Sequence, residues 1–327
     1  MEQPQSSLPR ETSVATMPTA PALFLEAFSF YKAHWPLIFG ITALPATLGI
    51  LEAVSQTTGF LAAIPILGFL GSFALILSQI GIIESIAQNG NPEGGALGAL
   101  LKGLKLIIPI LIISAYGTFA AFGGILLLII PGIILAMLFS QSFYTVIVEG
   151  RRGLGALALS WHYVSGFIGQ VLWRFIFIGI VTMAIALPVM LITAGPVFFD
   201  MIQNGPKEGI EPPLWGSIVS ILLNQFFLAP LGIIYAYGIY RALRGIKTES
   251  LSQEREQSIK KKIIAAIVFG IVGILALVAI FGLLVVYSAS DFIRPSPQPT
   301  NTGEITARAL GANLSSAPIL NIIRLGK

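Results

Sequence analysis

The sequence predicts an all-α membrane protein, a polytopic bundle of about seven transmembrane helices with amphipathic surface helices on the cytoplasmic side. Three observations carry that reading. The 327 residues are 55% hydrophobic and 10% charged, with a mean hydropathy of +0.86, where a soluble domain carries about 25% charged residues. Too little polar surface exists to face water all round, so lipid must replace it. Seven stretches approach the roughly 20 apolar residues that a helix needs to cross about 30 Å of hydrocarbon. Lysine and arginine, finally, gather in every second connection between those stretches.

Residues 1–20 are rich in Pro, Ser and Thr and predict a disordered segment. A signal peptide would bring a basic region and an apolar run near the start. Here the first apolar stretch begins after Trp35 and holds Pro45 and Glu52, so it reads as a retained helix. The predicted spans are 36–54, 60–83, 106–130, 132–148, 172–193, 215–240 and 263–287. The third and fourth are separated only by Pro131-Gly132. A single kinked helix there would run about 65 Å, twice the membrane thickness, so a tight hairpin is expected.

With the amino end in the cytoplasm, 14 of the 19 basic residues fall on the inner side, as the positive-inside bias requires. The carboxyl end then lies outside, and the chain is expected in a cell membrane, a bacterial plasma membrane. Residues 22–34, 94–105 and 154–169 each precede a span and carry apolar residues at helical spacing, as surface helices do. The unit of surface helix then span thus occurs three times, which leaves an internal duplication open. Residues 21–240 form a six-span domain, 241–262 a charged cytoplasmic linker ending in Lys260, Lys261 and Lys262, and 263–287 a seventh span. The tail, 288–327, opens with Pro295, Pro297 and Pro299 and has no sustained periodicity; within it 317–325 (APILNIIRL) is apolar but too short to span.

Residues 131–170 read PGIILAMLFSQSFYTVIVEGRRGLGALALSWHYVSGFIGQ. They combine a Pro-Gly break, a span, a Glu-Gly turn and an ALALSW helix. Together with 23–40 (LFLEAFSFYKAHWPLIFG), this segment resembles the membrane region of glycerophosphodiester phosphodiesterase membrane-domain proteins and related bacterial integral membrane proteins. The resemblance covers about 22–240. It implies a membrane helical bundle and does not bring the phosphodiesterase activity, which in that family belongs to a separate soluble barrel. A barrel of that kind needs about 250 residues, more than any non-membrane stretch here offers.

The net charge of +4 could point to nucleic acid, but the basic residues flank apolar spans instead of lining one polar face. Membrane lipids and other membrane proteins are the expected partners, and nucleic acid is not. There is no cysteine, which excludes disulfides, thiolate metal sites and cysteine nucleophiles. His34 and His162 each adjoin a tryptophan and read as parts of an interfacial aromatic belt; two histidines without clustered carboxylates make a poor metal site. No Walker loop, HExxH or GxSxG is found, so no catalytic, cofactor or metal residues are assigned.

Glu84, near the inner end of the second span, is the leading intramembrane ionisable residue, with Gln79 and Gln225 as polar companions. Charges within spans mark transport paths or buried pairs. Arg151, Arg152 and Arg174 are candidate contacts for lipid headgroups. In the last span Ala266, Gly270 and Gly273 share one face, which suits close helix packing within the chain or between copies. The expectation is a non-enzymatic membrane-organising or accessory protein. The alternative is a transporter or lipid-handling protein.

Overall fold

A computed structural model describes residues 17–127, 129–205 and 213–293. The predicted disordered segment up to residue 16, Lys207, and the tail from 294 onward, including 317–325, lie outside them. Among the described residues every regular element is helical, and seven helical stretches are long and apolar enough to cross a membrane. This is the architecture of a multi-pass membrane protein. Large side chains such as Phe69, Ile108, Ile130, Ile180 and Met190 are exposed along these stretches, as lipid-facing residues must be. The chain divides into two compact units, 1–273 and 274–327.

In the first unit, α1 (Ala20–Ala33) opens at Thr19, whose hydroxyl accepts from the Ala22 amide at 3.4 Å, a normal N-cap. Leu23, Ala27 and Tyr31, spaced by four, are its buried stripe, while Leu25 points outward. Pro36 near the start of α2 (Trp35–Thr57) separates the two helices, because proline cannot donate to the preceding turn. The next span, α3 (Ile64–Ala87), ends in a turn where Gly90 has φ +83°. A side chain there would be strained and would also strike the His34 ring.

The hairpin expected between the third and fourth spans is present. α4 (Gly95–Leu127) and α5 (Ile129–Phe139) fold back on each other. A Cβ built on Gly124 would lie 2.8 Å from the Gly132 Cα, so glycine is what lets the backbones meet. Pro131 and Gly132, expected to form the break, lie within α5. α4 also absorbs the segment 94–105, so the second predicted surface helix is simply the start of the span.

The fourth span is not continuous. α5 stops at Phe139 and α6 (Ser142–Glu149) restarts after a Ser140-Gln141 turn. A hydroxyl from α7 (Gly153–Val164) repairs the gap. Ser160 donates to the Leu138 carbonyl at 2.7 Å and accepts from the Gln141 amide at 3.2 Å. Thr145 of α6 donates to the Ala156 carbonyl at 3.1 Å and so holds α6 against α7. With no water in the apolar interior, backbone groups freed by a break need such partners. The third predicted surface helix, α7, is therefore misplaced by the sequence reading: Ala156, Leu157, Ala158 and Ser160 are fully buried. An apolar stripe signals an apolar partner, and here that partner is protein, not lipid.

α8 (Ile168–Thr193) and the short α9 (Gly195–Asn204) lead to α10 (Leu214–Leu223), a π-helical turn (Asn224–Leu228) and α11 (Ala229–Ile246). Pro230 explains the irregular turn. It cannot donate to the carbonyl four residues back, Phe226. The Tyr31 hydroxyl of α1 donates to that carbonyl instead, at 2.7 Å, which ties α1 to the π-helical turn. The predicted charged linker shrinks to residues 247–252, because α11 extends to Ile246 and α12 (Gln253–Ile293) begins at Gln253.

Ile259 and Ile263 of α12 are buried in the first unit. So is its small-residue face: a Cβ on Gly123 of α4 would lie 2.6 Å from the Gly270 Cα and 3.0 Å from the Ala266 carbonyl oxygen. At Ala266 and Gly270 the predicted stripe packs within the chain. In the second unit, α12 presents exposed apolar residues such as Leu275, Phe281 and Leu283.

Candidate functional site

Many of the charged side chains gather at one end of the first unit; Glu52, beside Gly68 near the start of α3, is not among them. Contacts place Glu26 with Arg241, Arg151 with Glu256, and Lys247 with the Ser165 carbonyl there. Two recesses open at this end.

The first holds Glu84. Its carboxylate is buried, accepts from the Gln88 side-chain amide and pairs with Lys102 of α4. The lysine side chain is 54% exposed, against 6% for the glutamate, so the lysine is well hydrated and the glutamate meets water only through the recess. The recess, about 390 Å³, is lined by Glu84, Gln88, Glu93, Lys102 and Lys105. Neither Gln79 nor Gln225 lines it. Gln79 is half-buried one turn and more back along α3, and Gln225 lies in the π-helical turn. The three residues grouped from the sequence are thus not brought together.

The second recess, about 350 Å³, lies where α6, α7, α11 and the 247–252 connection meet. Glu149 closes α6 just before Gly150, which has φ +67° and so takes the left-handed C-cap that favours glycine. Its carboxylate accepts from the Tyr240 hydroxyl at 2.5 Å and from the Tyr163 hydroxyl at 3.0 Å. Both tyrosines are buried. Burial and then the Glu149 charge push the Tyr163 phenol up to about 12, while Arg244 and Arg151 oppose the shift. Tyr144 stacks on Tyr240 with ring centroids 5.5 Å apart.

Around this carboxylate stand Arg151, Arg244 and Lys247. Arg151 lies 4.0 Å from Glu256. The Lys247 amine donates to the Ser165 carbonyl at 2.9 Å and sits over the Phe167 ring. Burial, then the Arg255 charge, lowers its pKa. Among the described residues Arg244 has no carboxylate within ion-pair distance.

The predicted headgroup residues divide. Arg151 lines this recess and Arg152 is exposed beside it at the start of α7. Arg174 does not snorkel to the surface. It is buried and donates to the Gln170 carbonyl at 2.8 Å and to the Met17 carbonyl at 3.1 Å, with Pro18 as a further acceptor. Its role is to tie the chain ahead of α1 to α8. His162 also departs from the expected interfacial belt. It is buried, and among the described residues neither ring nitrogen has a hydrogen-bond partner; the Glu249 backbone approaches without reaching bonding geometry. Burial, then the Lys247 charge, lowers its pKa.

Sequence reasoning missed Glu149, Tyr163, Tyr240, Arg244 and Lys247 as a group. The Glu-Gly-Arg-Arg run was visible, but Tyr163 and Tyr240 stand 14 and 91 residues from Glu149, and no local signal joins them. Among the described residues no group of histidine and carboxylate side chains is placed to hold a metal ion. No family model, curated protein or solved structure matches this chain.

Proposed function

We propose that the chain is a non-enzymatic, membrane-organising or accessory protein of a bacterial plasma membrane, gathering anionic lipid and neighbouring membrane proteins at its basic end. In this reading that end and the amino terminus face the cytoplasm, and the carboxyl terminus lies outside. The observation that carries it is the concentration of Arg151, Arg152, Arg241, Arg244 and Lys247 at one end of a bundle whose flanks are exposed and apolar. Each basic residue near an anionic leaflet gains about 1 kcal/mol. The likeness of 23–40 and 131–170 to the membrane region of the phosphodiesterase-associated family belongs to the same proposal and carries no reaction with it. The transporter or lipid-handling reading rests on Glu84; pairing with Lys102, in a recess that neither Gln79 nor Gln225 lines, leaves it less support.

The cysteine-free chain makes the test direct. S250C is expected to react with an impermeant maleimide only after cells are permeabilised, and T58C in intact cells. In vesicles of phosphatidylcholine with a minority of labelled phosphatidylglycerol, the protein should enrich the anionic lipid around itself, and raised salt should disperse it, since the screening length falls from about 10 Å at 0.1 M to about 3 Å at 1 M. Labelling of S250C from outside would overturn the orientation, and equal neighbourhoods of both lipids would overturn the function.

A further inference from the structure

We propose that the recess between α6, α7, α11 and the 247–252 connection binds a single phosphate group, held by Arg244 and Lys247 with Arg151 at its rim. The proposal deepens the reading of the basic end as a lipid-organising surface and rests on it. Elsewhere at that end Arg241 pairs with Glu26, Lys102 with Glu84 and Lys260 with Glu256. In the recess, which Glu149 and Glu249 also line, Arg244 and Lys247 stand together with no carboxylate at pairing distance among the described residues.

Glu149 would be the natural partner for Arg244, but two tyrosine hydroxyls occupy its carboxylate. They fix its position and satisfy it without a cation. Arg244 is left exposed with no carboxylate at pairing distance among the described residues. Among the described residues Arg151 has only the loose 4.0 Å approach of Glu256. The Lys247 amine is anchored by one bond to the Ser165 carbonyl and keeps two further N–H groups to offer.

Electrostatics points the same way. Burial and a neighbouring arginine, outweighing the nearby Glu249, disfavour the charged form of Lys247, and an anion held against the lysine offsets that penalty. A guanidinium beside an ammonium matches the oxygen geometry of a phosphate, the arginine through paired N–H groups and the lysine as a point charge. The hydroxyl-bearing connection, Thr248 and Ser250, forms the outer wall. A space of about 350 Å³ at the boundary of the bundle admits a headgroup while leaving its acyl chains outside. The shared chemistry is a phosphate ester, and its source is either a lipid or a soluble molecule.

The test uses the full chain, delipidated in a non-ionic detergent and followed by native mass spectrometry. Phosphatidic acid, phosphatidylcholine and inorganic phosphate are the probes. Wild type should retain one phosphatidic acid, saturably. R244Q and K247Q should each weaken that binding about tenfold, the effect of losing one charge-assisted contact, and K261Q, a basic change away from the recess, should not. Unchanged unfolding of R244Q and K247Q in detergent checks that both remain folded. Saturable binding of inorganic phosphate that phosphatidic acid cannot displace would assign the recess to a soluble phosphate ester. Equal losses in K261Q and R244Q, or the absence of a saturable single site, would overturn the proposal. A loss of vesicle enrichment with single-site binding intact would instead fault the wider functional reading alone.

Discussion

The Glu84–Lys102 pair offers the sharpest test of the physical reasoning, because its two halves have unequal access to water. Lys102→Met leaves a carboxylate that is 5% exposed facing an apolar side chain. Breaking a fully buried pair in this way costs about 3–5 kcal/mol. Here the Gln88 amide still donates to Glu84 and the recess admits water, so the expected loss is about 2–3 kcal/mol. Glu84→Gln does the reverse. It strands a lysine that is 54% exposed and readily hydrated, and it keeps a side chain that fills the same space. Its cost should be about 1 kcal/mol, the scale of a pair with one solvated partner. The double variant removes both charges and should recover at least about 1 kcal/mol relative to Lys102→Met, since no carboxylate is left unpaired. Unfolding in mixed dodecylmaltoside and SDS micelles, followed by tryptophan fluorescence, reads all three. If Glu84→Gln proves as costly as Lys102→Met, or the double variant shows no recovery, the assignment of burial and charge at this site is wrong.

Three further outcomes are expected. Tyr31→Phe deprives the Phe226 carbonyl of the hydroxyl that donates to it where Pro230 cannot, and should cost about 1–3 kcal/mol in the same micellar assay, where an effect near zero would remove the proposed link between α1 and the π-helical turn. Gly270→Leu drives a side chain into the α4 backbone at Phe119 and should destabilise by about 3 kcal/mol or more, whereas Gly282→Leu, with nothing within 4 Å, should be neutral; equal effects would refute intramolecular packing of the small-residue face. Burial, then Lys247, holds His162 below its ordinary value of 6.5, so the folded state favours the neutral ring. Stability should therefore be full above pH 6.5 and fall as the pH drops below it, because the unfolded chain takes up the proton more readily. An otherwise folded His162→Gln variant should lose that acid-side slope, and an unchanged slope would show that another group causes it.

The seven spans and the hairpin between the third and fourth could be read from the order of residues, since both follow from how many apolar residues hydrocarbon requires. The break in the fourth span could not. Ser140-Gln141 is an unremarkable pair until Ser160 supplies bonds from a neighbouring helix. The same limit applies to α7 and to Arg174. An apolar stripe does not say whether lipid or protein covers it, and an arginine at a helix end does not say whether it meets headgroups or the carbonyls of residues 17 and 18. Glu84 was identified from its cost in an apolar segment, but its partner, 18 residues later, depended on how α3 and α4 meet.

The amino-acid order by itself determined the helical class, the number of crossings and the gathering of basic residues between alternate crossings, because these depend on composition and period along the chain. Only tertiary structure decided which charges are matched and which are not. Glu149 is taken by Tyr163 and Tyr240 and so leaves Arg244 without a carboxylate partner among the described residues, because pairing depends on separations of a few ångströms between residues far apart in the chain.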